Sequence, residues 1–258
     1  MELDGKVAAV TGGTRGIGRA IAEAFVREGA KVVINGRNEE KGQQALKEMD
    51  AGDAAVFVAG DAKLREDCER VVDTTVDKFG RIDIMVNNAG GAGNHAAVVD
   101  LTDEAFDDAL RWILWSTFWC TRRSLQHMIP QKWGRIINVS SLEGKCGKPG
   151  VSTYVTAKHA INGLTKSCAH EVGTLGITVN ALCPGGIETD IMAEEGPKAA
   201  ELMGMTYQEF LNWYAKESAT KRLCEVEDVA AVAVLLASDV GGGITGSLIS
   251  IDGGTAPY

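Results

Sequence analysis

The stretch Val7-Ala8-Ala9-Val10-Thr11-Gly12-Gly13-Thr14-Arg15-Gly16-Ile17-Gly18 decides the fold. Four apolar residues in a row, too few for a helix, read as a strand buried on both faces. The following T-G-G-T-R-G-I-G is a glycine-rich turn, and Arg19–Glu28 continues it as an amphipathic helix. Strand, glycine turn and helix together aim a helix N-terminus at a phosphate, because the first backbone N–H groups of a helix have no partner of their own. Gly12 permits the tight turn, Gly16 lets backbone approach a pyrophosphate, and Gly18 allows close helix–strand packing. The spacing is G-x-x-x-G-x-G.

The same alternation runs down the chain. Apolar runs predict strands near residues 6–11, 31–35, 54–59, 82–87, 134–140, 176–182 and 247–251, with one-sided apolar helices between them. Regular β–α alternation implies parallel strands joined by right-handed crossovers, with ligands bound beyond the carboxyl ends of the strands. The one long break in the pattern is Thr189–Glu217. No internal linker, repeat or low-complexity tract divides the 258 residues, which suit one domain with a large core.

Composition narrows the partners. The chain carries 26 basic and 35 acidic residues, net −9, with no basic block, which argues against nucleic acid or an anionic membrane. No apolar run reaches membrane-spanning length, and the start, Met-Glu-Leu-Asp-Gly-Lys, lacks the pattern of a signal peptide. The six cysteines (68, 120, 146, 168, 183 and 224) contain no C-x-x-C pair, so reduced thiols in a cytoplasmic protein and no metal site are expected. Cys146 lies between Ser141 and Tyr154, where it can face an active site.

Chemistry enters with Ser141, Tyr154 and Lys158. A tyrosine with a pKa near ~10 is a poor base at neutral pH. A lysine four positions on shares its helix face, and its charge favours tyrosinate. A nearby serine hydroxyl can hydrogen-bond an oxygen whose charge is changing. Together they can move a proton on or off the oxygen of a ketone or alcohol.

These motifs, with Asn87-Asn88-Ala89-Gly90, Pro184-Gly185 and Ile251-Asp252-Gly253-Gly254, make the chain resemble the short-chain dehydrogenase/reductase family over essentially its whole length. The resemblance implies an α/β fold, a single doubly wound Rossmann domain over residues 1–258 with a seven-stranded parallel sheet and helices on both faces. It also implies a substrate-covering segment at about 189–217. The implied reaction is reversible hydride transfer between a nicotinamide and a ketone or secondary alcohol. In it Tyr154 exchanges the proton, Lys158 holds the nicotinamide ribose and Ser141 polarises the carbonyl, while Ser140 is structural. By position, Gly12, Thr14, Arg15, Gly16, Ile17, Gly18, Asp61, Ala62, Asn88, Ala89, Gly90, Tyr154, Lys158, Pro184, Gly185, Ile187 and Thr189 correspond to cofactor-binding residues. Asp61 can equally cap a helix starting at Lys63.

The cofactor is read from the end of the second strand. Acidic residues there pair with the ribose hydroxyls of NAD. Here the strand ends Asn35-Gly36-Arg37, and Arg37 with Arg15 suits a phosphate. The pair resembles the NADP(H) pattern, with NAD(H) the alternative and a non-catalytic nucleotide-sensing homologue a third reading.

The chain departs from the family at Trp112-Ile113-Leu114-Trp115-Ser116, where relatives carry V-N-L-x-G, so Ile113 stands where an asparagine helps relay protons from the lysine. Trp112, Trp115 and Trp119 recur at helical spacing and predict one shared face, core or interface; relatives pair this helix with a symmetry mate, which implies a homotetramer or at least a dimer. Substrate contacts are expected from His95, Glu143, Met192 and Tyr207. The methionines and aromatics of 189–217 suit an apolar or ring-bearing substrate. The resemblance extends to 3-oxoacyl-carrier-protein reductases and polyketide ketoreductases, the ending Gly253-Gly254-Thr255-Ala256-Pro257-Tyr258 favouring ketoreductases of bulky substrates.

Overall fold

A computed structural model describes residues 1–91 and 95–256. The last two residues of the closing stretch, Pro257 and Tyr258, therefore lie outside the described residues, as do residues 92–94 of the loop before His95.

Seven strands form one parallel sheet in the order β3-β2-β1-β4-β5-β6-β7. They are β1 (Val7–Val10), β2 (Lys31–Gly36), β3 (Ala55–Ala59), β4 (Ile84–Asn87), β5 (Gly134–Val139), β6 (Ile177–Pro184) and β7 (Leu248–Ile251). Each predicted strand is present, with ends displaced by at most two residues. The apolar runs of β1, β4, β5 and β6 are fully buried, as their lack of alternation requires.

Along β1 the side chains still alternate between two cores. Ala8 and Val10 pack with Ile21 and Phe25 of α1 (Gly16–Arg27) and with Val229 and Ala233 of α9 (Val226–Ala237). Ala9 faces the opposite layer, with Val71 and Val72 of α3 (Arg65–Phe79) and Met85. Small alanines at this central strand let both helical layers approach the sheet closely.

The remaining helices are α2 (Glu39–Met49), α4 (Asp103–Leu110), α5 (Ser116–Gln131), α6 (Ser152–Val172), α7 (Asp190–Leu202), α8 (Tyr207–Glu217) and α9 (Val226–Ala237). Among the described residues no helix is long and apolar enough to cross a membrane. The break at 189–217 holds α7 and α8, capped by Thr189 and by a capping box of Thr206 and Glu209.

Three local expectations are corrected. Helix α1 begins at Gly16 rather than Arg19 and so takes in the end of the glycine turn. Helix α3 begins at Arg65, with Leu64 at its N-cap, so Asp61 does not cap it. Instead Asp61 accepts from the backbone N–H of Lys63 (3.0 Å) in a local turn. The stripe of tryptophans divides because Arg111–Trp115 forms a π turn between α4 and α5, which rotates the residues before it relative to those after. Trp115 and Trp119 stay together with ring centroids 5.7 Å apart. Trp112 turns into the cavity described next.

Candidate active site

The strand order reverses at β1, whose neighbours are β2 and β4. Chains leaving the carboxyl ends of β1 and β4 diverge there, and a cavity of about 700 Å³ opens between them. Its walls take residues from the ends of β1, β2, β3, β4, β5 and β6 together with α6, α7 and α8.

One end of the cavity is built by the glycine turn. Gly12 and Gly16 have φ of +62° and +55°, a backbone state that other residues adopt only with strain. A side chain at Gly12 would press on Asn88 and Ala89. Asn88 ties β4 to the turn by donating to the carbonyls of Thr11 (3.0 Å) and Gly12 (3.1 Å). Arg15 caps α1 without a side-chain hydrogen bond to it, and the first turn of the helix has no acidic residue. The first amides of α1 therefore face the cavity without a side-chain acceptor, as an anionic pyrophosphate requires.

Gly12, Thr14, Arg15, Gly16, Ile17, Arg37, Asp61, Ala62, Asn88, Ala89, Gly90, Pro184, Gly185, Ile187 and Thr189 all line the cavity. Gly18 does not: it packs against Asn88 and the Gly12 carbonyl, so its small size serves helix–strand contact alone. At the end of β2, Gly36 lies against Thr14, and a Cβ there would stand 2.8 Å from its methyl carbon. Arg37 is exposed and Lys41 joins it in the wall. Arg15 pairs with Glu194 of α7 at 2.7 Å, a partner too distant in sequence to be foreseen.

The other end brings Ser141, Tyr154 and Lys158 into one wall. Ser141 leaves β5 in extended conformation and caps a short 3-10 turn, Leu142–Gly144. Tyr154 and Lys158 stand one turn apart on α6, the ammonium 5.4 Å from the centre of the tyrosine ring. Lys158 is 4% exposed. Its Nζ donates to the Val139 carbonyl at 2.7 Å. Ser140, also in the cavity wall, donates to the Lys158 carbonyl at 3.3 Å.

Burial dominates the electrostatics of the pair. It pushes the Lys158 ammonium down to about 8, against the opposing pull of Cys183 and Glu143. It pushes the Tyr154 phenol upward, helped by the Glu143 charge and only partly offset by the Ser141 hydroxyl. In the protein alone burial, and not the lysine expected to lower it, sets the direction of the tyrosine shift.

Ile113 is fully buried with Ala157 and Ile161. A Cβ on Gly90 would lie 3.6 Å from the Ile113 side chain and 3.9 Å from Lys158 Nζ, so the isoleucine sits beside the lysine. Its carbonyl accepts from the hydroxyls of Thr117 (2.9 Å) and Ser116 (3.3 Å).

Of the expected substrate contacts, His95, Glu143 and Met192 line the cavity and Tyr207 does not. The Tyr207 hydroxyl donates to Glu188 at 3.3 Å. Phe210 and Tyr214, on the face of α8 turned inward, take its place together with Lys148 and Trp112. Cys146 is absent from the wall, its thiol donating to the Leu142 carbonyl at 3.4 Å.

Comparison with known proteins agrees with this geometry. Residues 6–200 match the sequence profile of the short chain dehydrogenases. The chain is 36% identical to a 3beta-hydroxysteroid dehydrogenase of Mediterraneibacter gnavus, across 99% of this chain and 96% of that protein. It is likewise 36% identical to a D-beta-hydroxybutyrate dehydrogenase of Rhizobium meliloti, across 96% and 98%. A single-substitution variant of the actinorhodin polyketide ketoreductase, solved with NADPH, superposes with a TM-score of 0.93 at 32% identity, across 98% of each chain. On these matches the chain belongs to the short-chain dehydrogenase/reductase family and is an oxidoreductase acting on hydroxyl or keto groups.

Proposed function

We propose that the protein reduces a ketone to a secondary alcohol, reversibly, with NADP(H), and that the substrate is apolar, cyclic or of β-keto type. The observation that carries the cofactor preference is the end of β2, where Gly36, Arg37 and Lys41 border the cavity and no carboxylate occupies the position that would repel a 2′-phosphate. The guanidinium of Arg37 offers a fork of N–H donors matched to phosphate oxygens. The ketoreductase with 0.93 TM-score carries NADPH, which fits the same reading.

The bound nicotinamide supplies or receives the hydride. Tyr154 gives its proton to the carbonyl oxygen in reduction and recovers it in oxidation. Its raised pKa suits the acid role: the phenol keeps its proton at neutral pH until an oxygen that is gaining charge takes it. Lys158, charged below about pH 8, then lies beside the developing tyrosinate. Ser141 donates to the substrate oxygen and fixes its position. The apolar Trp112, Met192, Phe210 and Tyr214 form the substrate walls, and α7 with α8, within 189–217, covers them.

We assign a homotetramer, or at least a dimer, built on α5. Trp115, which closes the π turn leading into α5, is 46% exposed and Ile129 of α5 is 40% exposed, apolar surface that a partner subunit would cover. Cytoplasmic residence accords with six free cysteines among the described residues.

Steady-state kinetics with both cofactors and a graded series of ketones tests the proposal. A higher kcat/KM with NADPH than with NADH, and turnover of cyclic ketones, is expected; a preference for NADH overturns the cofactor assignment.

A further inference from the structure

A carboxylate stands where the substrate oxygen is to be bound. Glu143, two residues past Ser141 on the 3-10 turn, lines the cavity. Its Oε2 accepts the Ser141 hydroxyl at 2.5 Å. Its Oε1 lies 3.6 Å from Nζ of Lys148, with the two side chains only 13% and 19% exposed. The Lys148 ammonium is seated over the rings of Tyr214 (3.7 Å) and Trp213 (4.6 Å), which hold it in place. Burial pulls Lys148 downward and the neighbouring Glu143 pulls it part of the way back.

This arrangement restricts the substrate. Ser141 has one proton, and it cannot be given to the ketone oxygen and to Glu143 at once. A simple ketone that takes the serine proton leaves a half-buried carboxylate short of a donor, which is costly. A ketone with a hydroxyl on the neighbouring carbon restores what is lost: its carbonyl accepts from Ser141 and its hydroxyl donates to Glu143. Two oxygens on adjacent carbons are spaced one O–H···O length apart, ~2.8 Å. Ser141 Oγ and Glu143 Oε2, themselves one hydrogen bond apart, are close enough for such a pair to meet both. A substrate carboxylate in the same place would meet Glu143 as a like charge, and Lys148 is already paired.

We infer that Glu143 is a specificity residue for a hydroxyl next to the reacting carbon, so that the substrate pair is an α-hydroxyketone and its vicinal diol. The inference rests on the ketoreductase reading above. In the reaction the ketone carbon would be reduced by the hydride of NADPH and its oxygen would take the Tyr154 proton; the diol and NADP+ leave, and a proton from solvent restores the phenol. Glu143 accepts the hydrogen bond of the substrate hydroxyl and takes no part in the proton transfer. Lys148 is a positioning residue that holds the carboxylate. The walls of Trp112, Phe210 and Tyr214 favour a carbocycle as the carrier of the two oxygens.

The test compares 2-hydroxycyclohexanone, cyclohexanone and 2-oxocyclohexanecarboxylate on wild type, Glu143→Gln, Glu143→Ala and Lys148→Met, with thermal melts to confirm that each variant is folded. Wild type is expected to favour the hydroxyketone over cyclohexanone by about tenfold or more in kcat/KM, and both Glu143 variants to bring that ratio toward unity, chiefly through KM. A ratio near unity in wild type overturns the inference, as does a ratio untouched by the Glu143 variants. So does a preference for the keto acid that Lys148→Met abolishes. If no ketone is turned over at all, the ketoreductase reading fails separately. Calorimetry of 1,2-cyclohexanediol against cyclohexanol on the protein without cofactor then decides: tighter diol binding lost in Glu143→Ala upholds the subsite, and equal binding removes it.

Discussion

Replacing Lys158 by methionine should change how stability depends on pH, by an amount the structure specifies. The lysine is 4% exposed, and burial brings it from the ordinary 10.5 down to about 8. A depressed lysine means that the unfolded chain holds the proton more tightly than the folded one. Below about pH 8 both states are protonated, and the folded state bears the full cost of the buried charge, on the order of 3 kcal/mol for the shift at ~1.4 kcal/mol per pH unit. Between about pH 8 and 10.5 the folded protein sheds the proton while the unfolded chain keeps it, so stability rises with pH. Methionine has a similar length and no charge, and its variant lacks this rise. Urea unfolding followed by tryptophan fluorescence, from about pH 7 to pH 10, reads the difference directly. The wild-type-minus-variant free energy should be flat to about pH 8 and then climb by roughly 1.4 kcal/mol per unit. The Val139 carbonyl loses its donor in the variant, but that loss is nearly constant with pH and shifts the curve without tilting it. A difference that stays flat across the whole range would show that the ammonium is not desolvated and would refute the reasoning.

Tyr154→Phe removes the phenol and should lower kcat by ~10²–10⁴-fold while NADPH binding, read by fluorescence titration, is retained; preserved turnover would remove Tyr154 from the reaction. Arg37→Asp should reverse the cofactor preference, with kcat/KM for NADPH falling by about ten- to a hundredfold as a charged hydrogen bond becomes a repulsion, and an unchanged ratio would place the phosphate elsewhere. Ile113→Asn puts an amide into the apolar contact with Ala157 and Ile161 and should cost about 1–3 kcal/mol in urea unfolding; an undiminished stability would mean that the amide finds a partner, and a higher kcat that the position limits turnover. Size-exclusion chromatography with light scattering should show a dimer or tetramer, and a monomer at all concentrations would refute the role given to α5.

The glycine turn, the seven strands and the serine–tyrosine–lysine wall are legible in sequence because each depends on local chemistry: short apolar runs, glycines with positive φ, and one helical turn between two side chains. What escapes depends on the third dimension. Trp112 leaves its stripe because of a π turn, and the periodicity argument assumes an unbroken α-helical repeat. Tyr207 gives way to Phe210 and Tyr214 because the inward face of α8 is set by its packing against the sheet end and α7, which its own residues do not state. The direction of the Tyr154 shift follows from burial, and a lysine four residues away advertises only the opposing charge. Arg15 finds Glu194 across most of the chain. The pairing of Glu143 with Ser141 is visible as a spacing of two, but only the 3-10 turn directs the carboxylate back onto the hydroxyl.

The contact between Gly36 and Thr14 has a consequence for how this protein can diversify. A carboxylate introduced at position 36 to favour NAD would begin with a Cβ 2.8 Å from the Thr14 methyl, in a turn whose shape serves the pyrophosphate. The change of cofactor at that site therefore requires the Thr14 side chain to give way. Position 37, exposed and unconstrained, is the open route. A descendant lineage that came to use the other dinucleotide is accordingly expected to carry its first mark at 37 and to retain glycine at 36.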